Sequence, residues 1–340
     1  MRIASAVSVI VVLSLLLIGS AAAPQTASLP TELTDSEFWR VFTDFSEPGG
    51  QYPYENFVTN EETIQDVMPV LTKVTKPEGV YLGVGPEQNF TYIAGVKPRM
   101  AFVFDIRRQN AIEHLMYKAL FEMSPTRGDF VSHLFSIKSQ EKVPATARAQ
   151  GLFLAFDGLK GDRAYYTQNL AAIKNNLAKH KFALSADDLK RVEYIYDVFF
   201  RGGPDIDYKF ASEWPAGMAP APTYVQAMTD TDADKKPWSF VATEENYQFI
   251  RRMQLKNLII PIVGDFAGPK AIRAVADYVK GHNAIISAFY VSNVEVYLGE
   301  PRGTRERLQS FYQNAAVLPV DSSSLFIRFV GLADAVANLR

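Results

Sequence analysis

Short apolar runs alternate with helix-length amphipathic segments along much of the chain. Val80 to Gly85 (VYLGVG) is an apolar run that ends in Gly-x-Gly, the pattern of a buried strand feeding a tight turn. Pro86 suits the opening of a following helix, where its missing N–H costs nothing. Gly95 and Pro98 punctuate the return, and Met100 to Phe104 is a second apolar run closing on Asp105 and Ile106. Two buried strands around a helix form a βαβ unit and predict a parallel sheet with a right-handed crossover.

The alternation continues through a helix from Arg107 to Phe121, with Ile112, Leu115, Met116, Ala119 and Leu120 at helical spacing. It resumes at Thr243, the cap of a helix over 244–256. Leu258–Val263 and Ala284–Val291 then read as buried strands, 269–280 and 302–312 as helices, and Ser324–Val330 as a last strand. Five strands near positions 80, 100, 258, 284 and 324 predict one doubly wound, mostly parallel α/β sheet. Residues 124–242 interrupt the pattern and predict a helical insertion, or a lid, after the second strand–helix unit. Its helices fall near 164–180 and 186–200, the second capped by Ser185 with Asp188 completing a capping box. Residues 201–224 are rich in Gly, Pro and aromatics, and read as an irregular loop carrying Trp214 and Tyr224.

The N-terminal region differs. Arg2 followed by an apolar stretch from Ile3 to Ile18 and the small residues Ser20–Ala23 has the makeup of a signal peptide or, uncleaved, an N-terminal anchor over residues 1–23. The expectation is an exported, periplasmic or secreted protein whose contact with a membrane is through that segment alone. Residues 24–35 read as a polar linker, and Thr34 or Asp35 caps a helix through Phe42. Thr59 or Asn60 is expected to cap a further helix that opens with Glu61 and Glu62.

Composition narrows the function classes. The chain has 340 residues, 48% of them apolar and 21% charged, which is enough for a sizeable core and ordinary for a globular protein. A net charge of −2 without a basic run gives a nucleic-acid partner no electrostatic support. There is no cysteine, so no disulfide framework, and the four histidines show no metal-ligand spacing; no metal is expected. Neither a Gly-x-Ser-x-Gly elbow nor a phosphate loop of the Walker type is present.

The chemistry gathers at the first βαβ unit. Gly83 and Gly85 allow a ligand close to the backbone, and Asp105 follows Gly85 by 20 residues, the offset at which a carboxylate accepts from ribose hydroxyls. The pattern points to a small-molecule ligand containing a nucleoside. Gln88 at the third small position of the dinucleotide fingerprint argues against tight pyrophosphate packing, and hence against NAD. Arg107 and Arg108, at the carboxyl edge of the sheet, suit a carboxylate or phosphate. His114 falls beside the apolar stripe and reads as a partly buried structural histidine. Asn89-Phe90-Thr91 is a glycosylation sequon, but at the start of a helix in the crevice it reads as coincidental.

The block YLGVGPEQNFTYI with the acidic strand end at Asp105 resembles motif I of class I, Rossmann-type, S-adenosylmethionine-dependent methyltransferases. The same run, with DIRRQN and HLMYKALF, also resembles an uncharacterised bacterial family over most of the mature chain. The first resemblance implies S-adenosylmethionine as cofactor, with Gly83, Gly85, Glu87, Gln88, Asp105, Arg107 and Asn60 around it. It further implies Asp265, in Gly264-Asp265 after the third strand, on the adenine amino group, and Asn293 and Glu295 after the fourth strand as catalytic residues, Glu295 as the base. The chain departs from that motif in two places: Tyr81 replaces the usual acidic residue and Glu87 the third glycine. Because S-adenosylmethionine is a cytoplasmic metabolite, export favours the alternative of a non-catalytic protein that uses the same fold for another polar ligand.

Overall fold

The computed structural model describes residues 28–139, 142–211, 221–330 and 333–338. The signal or anchor segment, Trp214, and the first residues of the linker lie outside them.

Six strands form one sheet: β1 Val80–Val84, β2 Met100–Asp105, β3 Ile259–Val263, β4 Ile286–Ser292, β5 Leu325–Val330 and β6 Ala333–Asn338. Their order is β3-β2-β1-β4-β5-β6. The first five are parallel, and β6 folds back antiparallel on β5. This is an α/β, Rossmann-like arrangement, and all five expected strands are in place. β6 is an addition that the sequence reading did not anticipate. Burial of β2 and β3 along their whole length, and of β1 up to Val84, explains why these segments read as unbroken apolar runs rather than alternating ones.

Helices cover both faces. Gln88–Val96 and Arg108–Met123 pack with Glu244–Leu255 on one side. Asp35–Phe45, Ala271–Gly281 and Arg305–Ala315 form a connected layer on the other. The sheet is therefore doubly wound, and the direction of winding reverses between β1 and β4. A crevice opens at such a reversal, because the connections leaving the two strands diverge to opposite faces.

The insertion is helical, with Arg127–Phe135, Ala149–Leu154, Arg163–Lys179, Ala186–Gly202 and Tyr224–Thr229. Its bulk packs on Arg108–Met123, with Arg108 held bidentately by Asp188 at 2.7 and 2.8 Å. Of its described residues only Tyr208 reaches the crevice, and the others flank the domain.

Helix ends follow their local chemistry where the cap is strong. Thr34 and Ser185 form capping boxes with Glu37 and Asp188, and the Thr243 side chain accepts from Asn246 N. The described end of the linker packs on the domain: Leu29 and Leu33 are buried, and Leu33 N donates to Lys256 O at 3.0 Å. One N-terminal expectation fails. No helix starts at Glu61. The Thr59 hydroxyl accepts from Glu61 N, but Thr59 N goes to the Glu87 carboxylate, and the next helix waits until Met68, with Pro69 in its first turn. Residues 46–61 are committed to the strand ends instead.

Candidate functional site

Val84, Phe104 and Ile262 pair in one row across β1, β2 and β3, so the residues after them emerge side by side. Gly85 turns away with φ +80°, a conformation that glycine adopts without strain. Its N–H donates to Phe104 O at 3.0 Å, and Gly264 N to Asp105 O at 2.9 Å, which ties the three turns together.

Residues 46–61 cross these ends in the order of the strands themselves. At β3, Ser46 Oγ accepts from Val263 N, and the Glu47 carboxylate accepts from Asp265 N, Lys270 N and Ala271 N, closing the start of helix Ala271–Gly281. At β2, Gly50 N donates to Ile106 O at 2.7 Å and Tyr54 O accepts from Arg107 Nη1 at 2.9 Å. At β1, Thr59 N reaches Glu87 Oε1 at 3.2 Å. At β4, Ser292 Oγ donates to Glu61 Oε1 in a short hydrogen bond.

Beneath this strap lies a cavity of about 280 Å³, walled by amides (Gln51, Asn56, Asn60, Gln88, Asn293), by tyrosines (Tyr52, Tyr208, Tyr297), and by Asp105, Arg107, Asp265 and Arg307. Its place at the β1/β4 reversal is where open α/β sheets bind ligands. Tyr52 packs edge-on against Tyr297 at 5.2 Å, and the Arg107 guanidinium stands 5.4 Å over its ring. Burial, and then Tyr208 beside it, push the Tyr52 phenol well above its ordinary range, so it stays a neutral donor.

Both guanidiniums of the cavity are already engaged. Arg107 Nε and Nη2 meet Asp105 Oδ1 and Oδ2 at 3.0 and 2.8 Å, and Arg107 N adds a third bond to Oδ1 at 2.8 Å. Burial works against the Arg107 charge, but Asp105 outweighs it and the guanidinium pKa rises. Arg307 Nη2 holds Asp265 Oδ2 at 2.7 Å in a more exposed pair. A chain carboxylate, not a ligand phosphate, neutralises each arginine.

Seven of the ten residues expected at the site share the cavity: Gly85, Gln88, Asp105, Arg107, Asp265, Asn60 and Asn293. Three do not. Gly83 is small for a packing reason, since a side chain there would collide with Asn89 Oδ1, which accepts from Tyr81 OH at 2.9 Å. Asn89 itself is fully buried, its amide spent on the carbonyls of Val84, Gly85 and Pro86, so the sequon has no exposed acceptor in the fold. Glu87 points away from the cavity into the layer between sheet and insertion. Burial lifts its carboxyl to about 8 against the bond from Thr59. Beside it, burial and then Glu87 raise Glu113 well above the carboxylate range. Burial lowers the imidazole of His114 to about 4 even as its Nε2 donates to Gly85 O at 2.9 Å. Glu295 takes no part in the wall, because its carboxylate is turned to Arg328 Nε at 2.7 Å.

Ser292, in the same run as the candidates Asn293 and Glu295, has no role assigned from the sequence. It ends β4 with φ +50°, at a break in the β4–β5 register, and leads directly into helix Val294–Leu298. The only hint in the sequence is a serine where an apolar run meets a helix start.

Among the described residues, no group of three or more acidic, histidine or cysteine side chains is placed to hold a metal, and no helix is long and apolar enough to cross a membrane. A family model described as Domain of unknown function (DUF7790) matches residues 56–337, and the chain belongs to that family. No curated protein matches it.

Proposed function

We propose that the crevice binds a small nucleoside-containing ligand, with S-adenosylmethionine the first to test and methyl transfer to a small molecule or protein side chain the chemistry it implies. One observation carries the reading: Gly85, Gln88, Asp105, Asp265, Asn60 and Asn293, from four strand ends and the crossing strap, meet around one cavity at the winding reversal. Asp105 Oδ2 accepts one bond from Arg107 and keeps a lone pair for a ribose hydroxyl, while the amides and tyrosines suit hydroxyl groups and a heteroaromatic ring. The turn of Glu295 toward Arg328 and the pairing of Asp265 with Arg307 favour a second reading: binding of another polar ligand without methyl transfer. Titration with S-adenosylmethionine, S-adenosylhomocysteine and adenosine tests the first reading. Saturable binding supports it, and no binding of any of the three leaves the second.

A further inference from the structure

The backbone is irregular at one point of the cavity wall, and a hydroxyl stands there. Ser292 leaves β4 in the left-handed region, φ +50°, which a side chain adopts only at a cost that its surroundings must cover. Between Tyr290 and Ser292 the pairing of β4 with β5 slips, the kind of irregularity that re-aims a side chain at a sheet end. The helix Val294–Leu298 follows at once. A strand, a serine at positive φ and a short helix, with the serine among the cavity-lining residues, follow in the same order as at the nucleophile turn of α/β hydrolases, without that fold's glycine-flanked sequence. Ser292 is one of the cavity-lining residues, and its Oγ donates to the carboxylate of Glu61, itself buried at 1% exposure.

We propose that Ser292 and Glu61 form a nucleophile–base dyad that cleaves a small polar carboxylic ester bound in the cavity. The Ser292 Oγ attacks the ester carbonyl carbon while its proton passes to Glu61. The bond to the alcohol oxygen breaks, and Glu61 returns the proton to the departing alcohol. Water then attacks the acyl-Ser292 ester, giving its proton to Glu61 and releasing the acid, and the serine recovers its hydrogen. No oxidant or metal enters the balance. Asn60 and Asn293 line the same cavity, Asn293 with its Oδ1 3.5 Å from Ser292 Oγ, and each carries amide N–H groups that can serve the carbonyl oxygen as it gains charge. A carboxylate is a weaker base than an imidazole, so the substrate is an ester with a good leaving group rather than an amide. At about 280 Å³ the cavity restricts it to a small molecule. The inference goes beyond the nucleoside reading and does not depend on it.

Fluorophosphonate labelling of the full folded chain tests it, since the serine oxygen displaces fluoride from phosphorus and leaves a stable adduct. Peptide mapping is expected to find the adduct on Ser292, on the native chain and not on the urea-unfolded one. Glu61→Gln, checked for native circular dichroism, is expected to slow labelling about 100-fold, the scale of a lost general base. The absence of an adduct on Ser292 in the native chain overturns the nucleophile, and labelling of Glu61→Gln at the wild-type rate overturns the dyad. Neither result depends on whether S-adenosylmethionine binds.

Discussion

Asp105 and Arg107, two residues apart at the end of β2, clasp each other through two side-chain bonds and one backbone bond, with side chains 8% and 10% exposed. A buried pair of this kind changes what mutation means, because removing one partner strands the other charge away from water.

Asp105→Ala therefore lowers stability by about 3–5 kcal/mol, where a surface carboxylate would cost almost nothing. Arg107 would keep only its bond to Tyr54 O. Urea unfolding of Asp105→Ala, Arg107→Ala and the double variant checks this, and the double variant should lose clearly less than the sum of the singles. Additive losses would mean that the pair is not coupled.

The two glycines of the first turn respond differently to alanine. Gly83→Ala drives a methyl group into Asn89 Oδ1 and the Tyr81 ring, costing on the order of 1–3 kcal/mol while leaving the cavity wall alone. Gly85→Ala meets only Asn56 Nδ2 at 3.4 Å and Gln88 Nε2 at 3.5 Å, but at φ +80° it costs about 1 kcal/mol and adds a methyl group at the cavity wall. Unfolding and ligand titration of both variants should separate them: Gly83→Ala loses mainly stability, and Gly85→Ala mainly affinity.

Stability should fall on the alkaline side through the buried acids. The Glu87 carboxyl, lifted by burial to about 8 from an ordinary 4.5, keeps its proton in the folded chain where the unfolded chain has lost it. Its contribution is thus complete below about 4.5 and lost as pH rises through 8. Glu113, also raised, acts in the same direction. His114, lowered to about 4, acts on the acid side, where stability declines as pH drops from about 6.5 toward 4. Thermal stability is therefore expected to be greatest near pH 5 and to decline toward pH 9. Glu87→Gln should flatten the alkaline limb by on the order of 2 kcal/mol. An unchanged limb would assign the decline to other groups.

The sequence carried the sheet well because its signals are local. The unbroken runs at Val80, Met100 and Ile259, and the caps at Thr34, Ser185 and Thr243, each depend on residues within one turn or one strand. Asp105, Gly85 and Asp265 were legible at the site because each sits at a strand end whose position the apolar run defines. What escaped depends on distance along the chain. Glu61 meets Ser292 across 231 positions, and the polar run around Asn60 suits a helix cap as well as a crossing of the strand ends. Arg107 read as a ligand's partner because its turn back onto Asp105 is a matter of side-chain direction. Glu87 likewise read as a cavity residue, although its carboxyl points the other way. β6 is rich in alanine and polar residues, and it pairs with β5 alone.

A small-ligand site in the cavity at the β1/β4 reversal makes one prediction above the others. Thermal unfolding of the full chain with S-adenosylmethionine, S-adenosylhomocysteine or adenosine tests it most directly, with Asn60→Ala/Asn293→Ala as the control. A ligand at a hundredfold excess over its Kd stabilises the native state by about 2.7 kcal/mol, a Tm rise of several degrees for a chain of this size. That rise is expected for at least one of the three, and its loss in the double variant at the same concentration. No rise at millimolar ligand, or an equal rise in the double variant, would contradict it.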